Sequence, residues 1–224
     1  MKVTKKVLFI TLLIAVPLII LSYNYIDKDV ALYFLAHQES YKYFGKLLSI
    51  SGESQWYIGA GILGFLYYKY IKKDELIKNR FLFLFYANVF SGLLSIVLKW
   101  IFGRIRPKGL QHGHDEYGFL LFQNFDMGFV EKMKYHFTTM FHHPSTYASF
   151  PSGHTVTIAA TFTVLYLLFP RYVYLWIIFA LSFASGRILA GDHFVSDIMA
   201  GSIVGVFSTL YIYQKMRDKI EKKV

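Results

Sequence analysis

Three short stretches place cations, histidines and a helix start where they could hold an oxyanion and act on it. In the first, Lys99 and Arg106 stand seven residues apart and Pro107 follows. Two turns of helix put such a pair on one side of the same helix. The proline then forces Arg106 out to the helix end. Two cations snorkelling at a membrane boundary fit these residues as well. The second stretch is Pro151-Ser152-Gly153-His154, at the head of an apolar run. A helix opening there presents unpaired N–H groups and the positive end of its dipole, which bind anions. Gly153 admits a ligand close to the backbone, Ser152 can donate a hydroxyl and His154 a proton. A serine-capped helix start with an incidental histidine is the plainer alternative. The third stretch runs from Arg187 to Asp197, with His193 four residues before Asp197. On a helix these two face the same way. The carboxylate then accepts a hydrogen bond from one ring nitrogen, fixes the tautomer and leaves the other nitrogen free to attack. A surface His–Asp pair is the alternative.

Such groups need a scaffold, and the composition says which kind. The 224 residues are 55% hydrophobic with a mean hydropathy of +0.39, too apolar for an ordinary soluble domain. The length suits one domain spanning 1–224, without internal repeats. The absence of cysteine excludes disulfides, thiolate metal sites and a cysteine nucleophile. The net charge is +10, but the Lys and Arg border apolar runs rather than forming one patch. The expected partner is therefore a lipid bilayer and not nucleic acid.

Apolar stretches near the ~20 residues that a spanning helix needs occupy 7–26, 54–71, 81–102, 151–170, 172–187 and 195–214. The expected fold is all-α, a polytopic membrane protein with six transmembrane helices in a bundle. The first stretch reads as a retained helix, because no small-x-small cleavage site follows it. The larger share of the 24 Lys and Arg lies at 2–6, 69–80, Arg171 and 215–223. That side, with both termini, is expected to be cytoplasmic. Of the opposite connections, 27–53 predicts a short amphipathic helix on the membrane surface. The stretch 108–150 is too long for a turn and is rich in His, Phe, Met and Tyr, so it is expected to cap the site or dip into the interface.

This topology brings the end of the third span, the start of the fourth and the junction of the fifth and sixth to one membrane face. Ionisable residues at membrane depth are costly and usually functional. In order and spacing the three stretches resemble the motifs of the type 2 phosphatidic acid phosphatase family, the lipid phosphate phosphatases. Lys99, Arg106 and Pro107 match its Lys-x6-Arg-Pro, residues 151–154 match its Pro-Ser-Gly-His, and Arg187, His193 and Asp197 match its Ser-Arg-x5-His-x3-Asp. One supporting position departs: Gly186, not serine, precedes Arg187, and Ser185 lies one further back. The resemblance implies that His193 attacks phosphorus to form a phosphohistidine, that Asp197 orients it, and that His154 protonates the leaving alkoxide. It implies that Lys99, Arg106, Arg187, Ser152 and the Gly153 N–H hold the non-bridging oxygens, with no metal and no cofactor. The implied substrate is a membrane lipid with a phosphate headgroup, of the lipid A phosphate, undecaprenyl diphosphate or phosphatidylglycerophosphate class. The implied location is a bacterial inner membrane, with the site facing the periplasm.

Other features have plainer readings. Asp27-Lys28-Asp29 resembles the nucleophile of aspartate-based phosphatases, but no strand leads into it, and it reads as a loop beside the membrane. His112, His114, His136, His142 and His143 read as scattered surface histidines rather than metal ligands. Gly201 and Gly205 suit close helix packing, with dimerisation a weaker option. Trp56, Trp100, Tyr67, Tyr68 and Tyr70 suit interfacial anchoring. Two further functions compete: a membrane transporter or binding protein for a phosphate-bearing solute, and a haloperoxidase relative sharing the anion pocket.

Overall fold

A computed structural model describes residues 5–111, 117–123 and 126–221. Lys2, Lys222, Lys223, His112 and His114 lie outside the described residues. The chain forms helices α1 (Lys5–Tyr25), α2 (Asp27–Ala36), α3 (Gln38–Ser49), α4 (Ser54–Tyr70), α5 (Glu75–Phe102), α6 (Pro107–Gln111), α7 (Phe129–His142), α8 (Pro144–Tyr147), α9 (Gly153–Leu168), α10 (Val173–Leu189) and α11 (Val195–Ile220). No sheet forms among the described residues; the bridges from Arg104 to Phe119 and to Ala148 are isolated. Among the described residues, four helical segments are long and apolar enough to cross a membrane: Lys6–Tyr25, Glu75–Phe102, Pro170–Leu189 and Val195–Ile220. The other two expected spans, α4 and α9, are apolar but shorter, at 17 and 16 residues.

Helices α5, α9 and α11 form the centre, where Phe83, Ala87, Val164, Tyr213, Met216 and Ile220 close a core. Helix α4 lies on α5, α10 lies on α9 and α3, and α1 lies against α11. The outer faces stay apolar: Phe9, Leu63, Leu93 and Leu181 are all more than half exposed. Such faces suit hydrocarbon rather than water. The expected span 81–102 begins earlier, at Glu75, because the Asp74 carboxylate caps the helix by accepting the Ile77 N–H at 3.0 Å. The segment 27–53 holds two helices and a 3-10 turn (Ile50–Gly52) instead of one short helix.

The third expected span ends at Phe102, before the proline. Gly103 takes the left-handed conformation (φ 54°) and its N–H donates to Lys99 O at 2.9 Å. Lys99 is therefore in the last turn and Arg106 lies beyond the helix, so the two are not stacked on one helical face as their spacing suggested.

Gly201 and Gly205 bring α11 against α9. A Cβ on Gly205 would stand 2.4 Å from Val156 O, and one on Gly201 would stand 2.8 Å from Ser152 O. Neither neighbour can yield, because both atoms belong to the α9 backbone. Gly205→Ala is expected to force the helices apart at a cost of about 1–3 kcal/mol. Thermal unfolding in detergent should show a clearly lowered midpoint, and an unchanged midpoint would contradict the close packing.

Candidate active site

The start of α9 is anchored rather than capped. Ser152 is fully buried, its N–H donates to Asp197 O at 3.1 Å, and its hydroxyl accepts from Thr155 Oγ1 at 3.0 Å. Its side chain makes no cap hydrogen bond, so the serine-cap alternative does not hold. Lys99 reaches this helix start from α5. Its Cε and Nζ lie 3.6 Å from where a Gly153 Cβ would be, and Nζ donates to Ala148 O at 2.9 Å. Gly153 thus leaves the space that lets an ammonium and an anion meet the backbone. His154 lines two adjoining cavities. One, of about 630 Å³, runs along Lys99, Gly153 and the apolar Val89, Leu93 and Ile96. The other, of about 440 Å³, is walled by Arg187, Asp192, Glu53 and Lys46.

The third motif is not a helical i,i+4 pair. Gly191 turns the chain with φ 67°, and His193 sits before α11 begins at Val195. The two side chains meet because Asp197, in the first turn of α11, reaches back. Its Oδ2 accepts the Phe194 N–H at 2.9 Å and the Ser149 hydroxyl at 2.6 Å. That leaves it 3.5 Å from His193 Nδ1, while Ser149 Oγ is 3.4 Å from the same nitrogen. Burial pushes the His193 pKa down to about 3, against the upward pull of Asp197 and together with Arg106 and Arg187. A neutral imidazole with Nδ1–H turned to Asp197 carries its lone pair on Nε2.

Two arginines, Arg106 and Arg187, act electrostatically on the His193 ring. Arg187 is 8% exposed and pairs through Nη2 with Asp192 Oδ2 at 3.0 Å. Asp192 also pairs with Lys108. Burial would raise the Asp192 pKa, but Arg187 and Lys108 hold it below the usual carboxylate range. The Arg106 N–H donates to Thr146 O at 2.8 Å, which fixes its backbone beyond α5. Arg106 Nε and Arg187 Nε are buried with no hydrogen-bond partner among the described residues. A buried guanidinium N–H without an acceptor is costly, and an oxyanion is one acceptor that would serve such a group; Arg104 Nε also has no partner among the described residues. Lys99, Arg106 and Arg187 all act electrostatically on His154, and both arginines act on His193. All eight residues singled out in the sequence therefore belong to one region: Lys99, Arg106, Ser152, Gly153, His154, Arg187, His193 and Asp197.

The motif reading missed the charges behind this region. Arg104 is fully buried. Its Nη1 donates to Asp197 Oδ1 at 2.6 Å and Ser196 Oγ at 2.7 Å. Its Nη2 donates to Asp27 Oδ2 at 2.8 Å and Tyr117 OH at 3.1 Å. Asp27, expected in a loop beside the membrane, opens α2 and is fully buried. It also accepts from Ser22 Oγ at 2.9 Å and from the Ser196 N–H at 2.9 Å. The only sequence signal was that Arg104 sits inside the first motif. His136, expected on the surface, is buried, and its Nε2 lies 2.7 Å from Trp100 O; His142 and His143 are exposed. Among the described residues, no group of three or more His, Asp or Glu is placed to hold a metal ion. The departure at Gly186 has a steric cause. Helix α3 crosses α10 there, and a Cβ would stand 2.7 Å from both Gly45 O and Leu48 Cβ.

The sequence has relatives among known proteins. The profile of the PAP2 superfamily matches residues 80–221. The chain is 35% identical over 179 residues to a lipid A 1-phosphatase of Rhizobium johnstonii, covering 75% of this chain and 65% of that protein. It is 35% identical over 179 residues to a lipid A 1-phosphatase of Rhizobium etli, covering 75% and 68%. The chain thus spans about two thirds of the length of these relatives. A shorter match, 32% identical over 65 residues, joins it to the bacitracin transport permease protein BcrC of Bacillus licheniformis, covering 29% of this chain and 32% of that one. No solved structure matches.

Proposed function

Because the chain belongs to the PAP2 superfamily, we propose that it is a bacterial inner-membrane enzyme that hydrolyses a phosphate ester of a lipid headgroup, by way of a phosphohistidine on His193. The observation that carries this reading is the buried His193, 3.5 Å from the Asp197 carboxylate and within the electrostatic reach of Arg106 and Arg187, whose Nε–H groups lack acceptors among the described residues. The Nε2 lone pair of His193 attacks phosphorus. The bond from phosphorus to the lipid oxygen breaks, and its electron pair goes to that oxygen, which takes a proton from His154. Water then gives a proton to His154 and attacks the phosphohistidine, releasing inorganic phosphate and neutral His193. Lys99, Arg106, Arg187, Ser152 and the Gly153 N–H stabilise the charge on the equatorial oxygens. Asp197 balances the positive charge that grows on the ring.

The same proposal makes residues 1–224 one domain with six spans, α4 and α9 being the two short ones. Both termini are cytoplasmic and the site is periplasmic, in keeping with the bias of Lys and Arg. The headgroup enters the polar cavity beside Arg187, and the chains lie along the apolar cavity beside Val89 and Leu93. The names of the Rhizobium relatives favour a lipid A phosphate over undecaprenyl diphosphate or phosphatidylglycerophosphate. A transporter has less support, since the permease match covers 29% of the chain and a passive anion site has no use for an oriented nucleophile. The test is phosphate release by the purified full chain on lipid A, undecaprenyl diphosphate, phosphatidylglycerophosphate and phosphatidate, with and without EDTA. Release from lipid A that is indifferent to the chelator is expected. Release from none of the four would contradict the hydrolase, and loss to EDTA would contradict the metal-free route.

A further inference from the structure

Residues 80–221 match the superfamily, yet the charged network behind His193 does not close within them. Its last member is Asp27, at the junction of α1 and α2. We infer that Asp27 and Arg104 are positioning residues, and that through them the first two helices fix the aim and charge of the nucleophile; this rests on the proposed role of His193.

The inference follows from how the paired donors and acceptors are used, Arg104 Nε being left without a partner among the described residues. Asp197 Oδ1 is held by Arg104 Nη1, so Oδ2 is the oxygen left to face Ser149, the Phe194 N–H and His193 Nδ1. A carboxylate held at both oxygens cannot swivel, and the ring it supports keeps one tautomer. Arg104 is aimed in turn by Asp27, which takes Nη2 on the far side of the guanidinium. Asp27 is itself fixed by Ser22, from α1, and by the Ser196 N–H and hydroxyl. The rings of Tyr23, Tyr117 and Phe194 stand 4.2–5.6 Å from the Arg104 guanidinium and keep it from turning.

Charge gives the second reason. Arg104 alone would neutralise Asp197, leaving nothing to balance the cation that develops on His193 during attack. Adding Asp27 makes the buried set two carboxylates and one guanidinium, with a net charge of −1. That charge lies behind Asp197, on the Nδ1 side of the imidazole.

The experiment compares wild type with Asp27→Asn in the full chain, by steady-state kinetics on lipid A and by nitrogen-15 NMR of histidine-labelled protein, the His193 signals being assigned through His193→Gln. Asp27→Asn is expected to lower kcat roughly 10–100-fold, as a misaimed reacting group does, with KM within about threefold. The His193 nitrogens should move from a single Nδ1–H tautomer towards a mixture. Unchanged kcat with unchanged shifts would overturn the inference. A fall in kcat with unchanged His193 shifts would overturn it too, as it would make Asp27 only structural. The NMR signal does not depend on turnover. If wild type hydrolyses no lipid but Asp27→Asn still moves the His193 tautomer, the positioning stands and the proposed function falls. Should Asp27→Asn fail to fold, Ser196→Ala removes only the hydroxyl shared by Asp27 and Arg104. It should show about a tenfold loss of kcat with the same shift, and no change in either would overturn the inference.

Discussion

Replacing His193 with alanine is expected to lower kcat by roughly 10⁴-fold or more, since the first covalent bond cannot form without the ring. The cradle should survive the change. Lys99 is held by Ala148 O and Arg187 by Asp192, and neither contact involves the imidazole. The variant should therefore insert, and should bind inorganic phosphate about as well as wild type. Steady-state release from lipid A measures the loss, and phosphate protection against thermal unfolding measures the cradle. A His193→Ala protein that turns over at the wild-type rate would remove the nucleophile assignment. Loss of both turnover and phosphate binding would show that the substitution had disturbed the site as a whole.

The second large effect is expected at His154, and it should depend on the leaving group. A lipid or sugar alkoxide is a poor leaving group and needs a proton as the bond to phosphorus breaks. A positioned acid is worth about 10²–10⁴-fold for such a step. His154→Ala should lose about that much on lipid A. A nitrophenyl phosphate leaves as a stable phenolate and needs no proton, so its phosphoryl transfer should be far less affected. Hydrolysis of the phosphohistidine should still be slow, because His154 also accepts the proton from water. The result is a rapid burst of about one nitrophenolate per enzyme followed by a slow steady state. Equal losses on both substrates without a burst would contradict the acid–base role.

The residues proposed to meet the substrate were legible because their types and intervals are constrained by the chemistry. Lys99, Arg106, His154, Arg187 and His193 could be assembled from their order along the chain and the side of the membrane each span would reach. The support behind them was not. Arg104 and Asp27 are 77 residues apart, and a buried ion pair looks in sequence like two charges at a membrane boundary. Whether an aspartate beside an apolar run faces lipid headgroups or a buried guanidinium depends on how α1 and α2 fold back onto α11, which no periodicity records. The end of α5 was within reach, since a glycine directly after an apolar helical run is a stop signal. The expected span does end at 102, as α5 does; the assumption that failed is helix continuing from there to Pro107. The stacking of Lys99 on Arg106 failed with it, and so did the helical His193–Asp197 pair, which the turn at Gly191 replaces. Gly45 and Gly186 were unreadable for a related reason: each is glycine because of the other's backbone.

The proposed chemistry commits the enzyme to a covalent intermediate, and trapping it is the most direct measurement. Nitrophenyl phosphate carrying radioactive phosphorus is mixed with stoichiometric His154→Ala protein and quenched in alkali, where a phosphorus–nitrogen bond to imidazole survives and a serine ester does not. Label stable to alkali, lost in mild acid and located by peptide mass spectrometry on His193 is the expected result. Protein that releases nitrophenolate yet never carries label on His193 would contradict the account.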